Sequence, residues 1–282
     1  MSTGRIFGAV AAIAGEIRAG FTDRRQAEGA NPTGDEQLAA DVRADRLLAE
    51  ELLAIESVAG YASEEREDVL DGGAGEYHVA CDPLDGSSNL ASNNPAGTIV
   101  GVYDRRPPAP GESLVAAGYV LYGPVTTMVV AEEGEEVTEY LIEDGERTVL
   151  KEDVRLPAEP TVYGIGGRAP DWPDSVAAYV ERLEEKRLKL RYGGAMVADV
   201  NQVLAHGGVF GYPMLEGRPE GKLRAVFEAL PMAYILEAAG GASSSGTESL
   251  LAAAPERLHE RTPVFLGNAD LIEALEATVE GR

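Results

Sequence analysis

The sequence is poor in positive charge: 24 basic residues stand against 48 acidic ones, giving a net charge of −24 and a pI near 4.4. Only Lys151, Lys186, Lys189 and Lys222 are lysines. Nucleic acid and anionic membranes are excluded as partners, because binding either needs a basic surface. The lone cysteine, Cys81, forbids an internal disulfide and suits a reducing compartment. No apolar run approaches the roughly 18 residues of a membrane-spanning helix. The stretch Ile6 to Ile13 continues amphipathically through Glu16 and Arg18 and does not read as a signal peptide. A soluble, cytoplasmic protein is expected.

What is present is a core. Hydrophobic residues make up 44% of 282 positions, enough for one large or two medium domains. The acids are interspersed rather than run together, so they coat a folded surface. An acid-rich, lysine-poor surface is that of a protein adapted to molar salt, where a Debye length of about 3 Å screens self-repulsion.

Ile6, Val10, Ile13, Ile17 and Phe21 recur at helical spacing and predict an amphipathic helix. A second helix is predicted from Asp35, after the turn Asn31-Pro32-Thr33-Gly34, carrying Leu38, Val42, Leu48, Leu52 and Ile55. Between Tyr77 and Leu150, β-branched runs broken by Gly and Pro predict strands at Tyr77 to Cys81, Thr98 to Tyr103, Leu114 to Leu121 and Thr126 to Ala131. Beyond Pro157 the elements alternate. Strands are expected at Thr161 to Ile165 and Leu223 to Phe227, and helices at Ser175 to Glu184, Met196 to Leu204, Met232 to Ala239 and Asp270 to Val279. Gly240 to Gly246 reads as a loop. The pattern implies an α+β first half (1–156) and an α/β second half (157–282).

The segment Asp82-Pro83-Leu84-Asp85-Gly86-Ser87-Ser88 follows a short strand and is rich in turn formers. Pro83 holds Asp82 extended and Gly86 permits a sharp reversal, so two carboxylates three residues apart can converge on one point. The Leu84 carbonyl offers another hard oxygen, and Ser87 with Ser88 offers amides and hydroxyls for a phosphate. Such donors select Mg²⁺ or Mn²⁺ over Zn²⁺. Glu228 closes an apolar stretch just before Pro231, a poor place for casual solvation.

That loop resembles the signature of class I fructose-1,6-bisphosphatases, within the lithium-sensitive metal phosphatases that include inositol monophosphatases. Ser63-Glu64-Glu65 and Asp41 lie upstream at matching positions. Downstream, Arg191-Tyr192-Gly193-Gly194-Ala195-Met196-Val197-Ala198-Asp199, Gly221-Lys222-Leu223-Arg224 through Glu228, and Pro231-Met232-Ala233-Tyr234 match as well. The resemblance implies a sugar-phosphatase fold, a layered α/β/α/β/α sandwich. It implies that Glu64, Glu65, Asp82, Asp85, Glu228 and the Leu84 carbonyl bind two or three Mg²⁺ ions, with Mn²⁺ an alternative. Asp41 and Glu65 would take the proton of the attacking water. Asp85, Gly86, Ser87, Ser88, Arg191, Tyr192, Met196, Tyr212 and Lys222 would bind the substrate, fructose 1,6-bisphosphate, whose 1-phosphate is removed in gluconeogenesis. Arg191 would reach a neighbouring subunit's site, implying a homodimer or homotetramer.

The sequence also departs from the family. Gly164-Ile165-Gly166-Gly167-Arg168 replaces an Asn-Glu-Gly-Tyr stretch, so either Arg168 forks a phosphate or three glycines build a turn. A family lysine is missing from Met214-Leu215-Glu216-Gly217-Arg218, where Arg218 is the available cation. The Met1 to Gly20 segment lacks the Thr-Gly-Glu helix that binds AMP in the animal enzymes, so AMP regulation is not expected. An inositol-monophosphatase-like enzyme is disfavoured by Ser87 and by Phe227-Glu228, where that branch has threonine and Trp-Asp. A sedoheptulose bisphosphatase differs only by one hydroxymethylene unit of substrate. A non-catalytic phosphosugar sensor would have lost metal ligands, and the matched positions keep theirs.

Overall fold

The structure, a computed structural model, describes residues 3–23, 27–32, 34 and 36–281. The chain opens with helix α1 (Thr3–Ala19), whose Ile6, Val10, Ile13 and Ile17 form one buried stripe. Strands β1 (Ala27–Ala30) and β2 (Glu36–Leu38) then pair antiparallel ahead of helix α2 (Ala39–Leu53). The second helix therefore starts later than the sequence suggests. Residues 36–38 are committed to a strand, and the Asp41 carboxylate accepts the Leu38 amide, which fixes the helix start there. The turn before it is present, with the Gly34 amide donating to the Asn31 carbonyl, while Thr33 and Asp35 lie outside the described residues.

The next strands are β3 (Val58–Ser63), β4 (Leu70–Asp71), β5 (Tyr77–Asp85), β6 (Ala96–Tyr103), β7 (Leu114–Tyr122), β8 (Thr126–Glu132), β9 (Thr138–Glu143) and β10 (Glu146–Lys151). They form one sheet in the order β10-β9-β8-β7-β6-β5-β3-β4. Only β3 and β5 pair in parallel. Side chains alternate between two buried faces. Val79, Cys81, Val100 and Val120 face α1 and α2, whereas Ala80, Ile99, Ala117 and Tyr119 pack against later helices.

The remaining elements are β11 (Val162–Ile165), α3 (Asp174–Glu185), β12 (Lys189–Leu190), α4 (Met196–His206), β13 (Gly208–Tyr212), β14 (Leu223–Arg224), α5 (Leu230–Ala238), β15 (Ala242–Ser244), β16 (Arg261–Thr262), β17 (Val264–Gly267) and α6 (Ala269–Val279). A second sheet runs β12-β11-β13-β17-β15. Helices α4 and α5 are sandwiched between the sheets, and α3 with α6 cover the outer face of the second. The layers are α/β/α/β/α, as the resemblance implied. The apolar core between the sheets joins side chains from both halves of the chain.

Two expectations are corrected. Gly240 to Gly246 is not all loop: Ala242–Ser244 pairs with β17, and the Ser243 and Ser244 hydroxyls donate to Glu237 and Glu276. Serine-rich composition hides a strand because the pairing partner is distant in sequence. The expected strand Leu223 to Phe227 ends at Arg224 and gives way to a π-helical turn, Ala225–Ala229. Such wide turns often mark functional positions.

Candidate active site

The Asp82 to Ser88 segment lies at the carboxyl end of β5, where pairing with β6 is irregular between Asp82 and Asp85. That irregularity re-aims the two carboxylates. Gly86 takes the left-handed φ of 73°, and a Cβ there would lie 2.3 Å from the Ala195 Cβ, so only glycine fits. Ser87–Ser92 then forms a short 3₁₀ helix. The Asn89 side-chain amide donates to the Pro95 and Gly193 carbonyls at 2.9 Å, tying this loop to the Arg191–Gly194 loop.

Because β3 runs parallel to β5, the two strands end side by side. The Glu64 amide donates to the Cys81 carbonyl at 3.0 Å, and the glutamate pair is delivered next to Asp82. Glu228 arrives on the π-helical turn. Oxygen atoms of Glu64, Asp82 and Glu228 all lie within 4.8 Å of one another. Arg224 is buried among them, with Nη1 2.6 Å from Glu64 Oε1 and 3.9 Å from Glu228 Oε2. Its own amide donates to Glu228 at 2.6 Å. Breaking a buried pair of this kind costs about 3–5 kcal/mol.

One arginine does not balance so many acids. Burial first, then mutual repulsion, raises Glu64, Asp85 and Glu228 to about 7, and pushes Asp82 well above the ordinary carboxylate range. Burial likewise raises Glu65 to about 7 and Asp41 to about 6. A divalent cation would relieve this repulsion, and an all-oxygen donor set of buried carboxylates fits a hard one.

The predicted residues do not all converge on one point. Asp85 is not part of the close trio, and its Oδ2 accepts the Val197 amide at 2.7 Å at the start of α4. Glu65 turns toward Gln37, and Asp41 toward Ser87 and the Leu38 amide. All of these, with Leu84, Gly86, Ser87, Ser88, Tyr192, Met196, Tyr212 and Lys222, line one cavity of about 270 Å³. Met196 lines it while 3% exposed, so it is both wall and core. The Lys222 ammonium sits 5.4 Å above the Tyr212 ring.

Arg191 is exposed and lies outside that lining, as do Arg168 and Arg218. At Gly166 a Cβ would lie 2.5 Å from the Tyr212 ring and 2.7 Å from the Tyr192 hydroxyl. The Gly166 carbonyl accepts the Trp172 indole N–H at 2.8 Å. These contacts favour the glycine turn over an Arg168 fork. Asn31, Asp199, Phe210 and Arg224 also line the cavity without having been assigned a role. Asp199 accepts the Gly193 and Gly194 amides at 2.6 and 3.1 Å. Asp199 and Arg224 sit inside the recognised motifs, but their partners are not visible from spacing.

Among the described residues no helix is long and apolar enough to cross a membrane. Residues 6–149 match the family model of the fructose-1-6-bisphosphatase N-terminal domain, and residues 156–280 that of its C-terminal domain. The class 1 fructose-1,6-bisphosphatase of Natronomonas pharaonis is 58% identical over 96% of this chain and 96% of its own length. That of Halobacterium salinarum is 59% identical over 97% and 96%. The crystal structure of the Leishmania major fructose-1,6-bisphosphatase in holo form superposes with a TM-score of 0.90 at 30% identity, covering 100% of this chain and 96% of that one. Matches of this extent, over both halves and the whole layered fold, make the chain a member of the fructose-1,6-bisphosphatase family.

Proposed function

We propose that the chain hydrolyses the 1-phosphate ester of fructose 1,6-bisphosphate, releasing fructose 6-phosphate and inorganic phosphate, with Mg²⁺ as the working metal. One observation carries this reading: a single cavity is lined by buried carboxylates, by Lys222 with two tyrosines, and by Ser87 and Ser88. Glu64, Asp82 and Glu228 would hold the metal, with Glu65, Asp85 and the Leu84 carbonyl as additional oxygen donors. When bound, such ions neutralise phosphate oxygens and acidify water.

The chain's own residues do the rest. Asp41 and Glu65, raised by burial toward neutral pH, are stronger bases than exposed carboxylates and take the proton of the attacking water. Ser87 and Ser88 orient the phosphate with hydroxyls and amides. Neither serves as a nucleophile, since no histidine lines the cavity among the described residues to activate it. Lys222, Tyr192, Tyr212 and Met196 hold the sugar and its second phosphate. Arg191, exposed at the rim, serves a neighbouring subunit in a homodimer or homotetramer. Residues 1–156 would supply most of the metal site and 157–282 the sugar-phosphate site, with Glu228 crossing that division. A cytoplasmic place in gluconeogenesis and adaptation to molar salt belong to the same reading.

Turnover of fructose 1,6-bisphosphate, sedoheptulose 1,7-bisphosphate and inositol monophosphate, measured with Mg²⁺ in molar KCl, tests it. The hexose bisphosphate should be fastest. Faster hydrolysis of inositol monophosphate would sink the assignment, and faster hydrolysis of the heptose would move it one carbon along.

A further inference from the structure

A site assembled from distant segments works only if those segments are held to one another, and one residue outside the cavity lining joins three of them. Arg66 directly follows Glu64 and Glu65. Its guanidinium forks onto Asp45, with Nη2 2.6 Å from Oδ2 and Nε 3.1 Å from Oδ1. Asp45 is 5% exposed and also accepts the Tyr61 hydroxyl at 3.2 Å. Asp41 and Asp45 are four residues apart in α2 and so share one helix face. The fork thus fastens the Glu64–Glu65 loop to the face that presents Asp41.

On its other side, the Arg66 carbonyl lies 2.8 Å from His259 Nε2 and accepts its proton. The His259 ring packs on Phe227 with centroids 5.2 Å apart, and Phe227 directly precedes Glu228. Elsewhere the loop is held at its start, by the Glu64 amide on Cys81 and the Glu65 amide on the Ser63 hydroxyl, and by the side-chain contacts of Glu64 with Arg224 and of Glu65 with Gln37. Arg66 itself reaches both ways, its guanidinium to α2 and its carbonyl to His259 in the C-terminal half.

We propose that Arg66 is a positioning residue: its fork to Asp45 sets Glu65 against Asp41, and its carbonyl links that pair to the turn carrying Glu228. The proposal rests on the roles given above to Asp41 and Glu65. Two parallel bonds from a planar guanidinium fix distance and orientation together, which a lysine cannot do. A displacement of about 1 Å in a reacting group can cost on the order of a hundredfold in rate.

The test compares Arg66→Met, Asp45→Asn, the double variant and Arg66→Lys, assayed on fructose 1,6-bisphosphate with saturating Mg²⁺ in molar KCl. Each kcat is divided by the folded fraction from circular dichroism at the assay temperature. The expected result is a kcat lower by about 10- to 100-fold in both single variants, with KM within about threefold. The double variant should be no worse than the poorer single one, because both remove the same fork. Arg66→Lys should stay near Arg66→Met, since charge without the fork is not enough. A kcat within about threefold of wild type in either single variant, losses that multiply in the double variant, full rescue by lysine, or a deficit that disappears on the folding correction would each overturn the proposal. Glu65→Gln serves as the reference. If it stays fully active, the role given to Glu65 fails; if it is dead while the Arg66 and Asp45 variants are not, only the positioning role fails.

Discussion

Two groups of side chains share the cavity: Glu64, Asp82 and Glu228 are fixed by backbone pairing, a buried arginine and a helical turn, whereas Tyr192 is 43% exposed and Lys222 is exposed. The carboxylate group is crowded by like charge, opposed only in part by Arg224. In the lysine–tyrosine group the backbone is held, by the pairing of Tyr212 with Val264 and by the Asn89 and Asp199 bonds to Gly193 and Gly194, while the Lys222 and Tyr192 side chains stay exposed. On the proposed reading, the chemistry falls on the buried carboxylates. Recognition of the sugar phosphate then falls on the more exposed side chains.

The sharpest break in that contrast comes from removing a carboxylate. Asp82→Ala or Asp85→Ala should lower turnover by on the order of a thousandfold, since metal binding supplies several kcal/mol of transition-state stabilisation. Steady-state assays across a Mg²⁺ series check this, and near-normal activity would remove that residue from the metal site. Next comes stability without metal. Glu64, Asp85 and Glu228, raised to about 7, bind protons in the folded chain that the unfolded chain has already lost above its ordinary carboxylate range. The stability they give is therefore complete below about pH 4 and disappears as pH rises through about 7. In chelator and molar KCl, denaturant melts should show a loss of several kcal/mol, up to about 8 if the three titrate independently, between pH 5 and pH 8. Glu228→Gln should flatten that slope, and Mg²⁺ should raise stability most at the higher pH.

For the lysine–tyrosine group the effects should fall on KM. Lys222→Met should raise it about 10- to 100-fold with kcat nearly kept, the worth of one charged contact to phosphate. Gly166→Ala should raise it about fivefold by pushing Tyr192 and Tyr212 aside, a strain of about 1 kcal/mol. Arg168→Ala should change neither constant by more than about twofold. A large KM effect at Arg168 would restore the phosphate fork.

How much of this was legible in the sequence depended on how local each feature is. Pro83, Gly86 and the serines act within one turn, so the loop around Asp82 could be read as a hard-metal and phosphate segment from its own residues. The helices α1, α3 and α6 announced themselves by period. Glu64 and Glu65 were reachable only through the family resemblance, because what brings them to Asp82 is the parallel pairing of β3 with β5, and Val58–Ser63 gave no strand signal that was recognised. The π-helical turn at Ala225–Ala229 looked like a strand because Ala225, Val226 and Phe227, which open it, are apolar and buried. Arg224 was visible in its motif, but its contact with Glu64 crosses the whole chain. Ser243 and Ser244 advertised a loop while serving as an edge strand, since pairing to Phe265 and Leu266 leaves no local trace.

The parallel pairing of β3 with β5 has a kinetic side. It brings Glu64 and Asp82 together as soon as the first sheet forms, yet the third oxygen comes from Glu228, far along the chain and beyond the start of the second sheet. A half-folded chain therefore holds two repelling carboxylates and an incomplete set of donors. Mg²⁺ should then leave the folding rate almost unchanged and slow unfolding instead, because the ion is gripped only after the last of its ligands has docked.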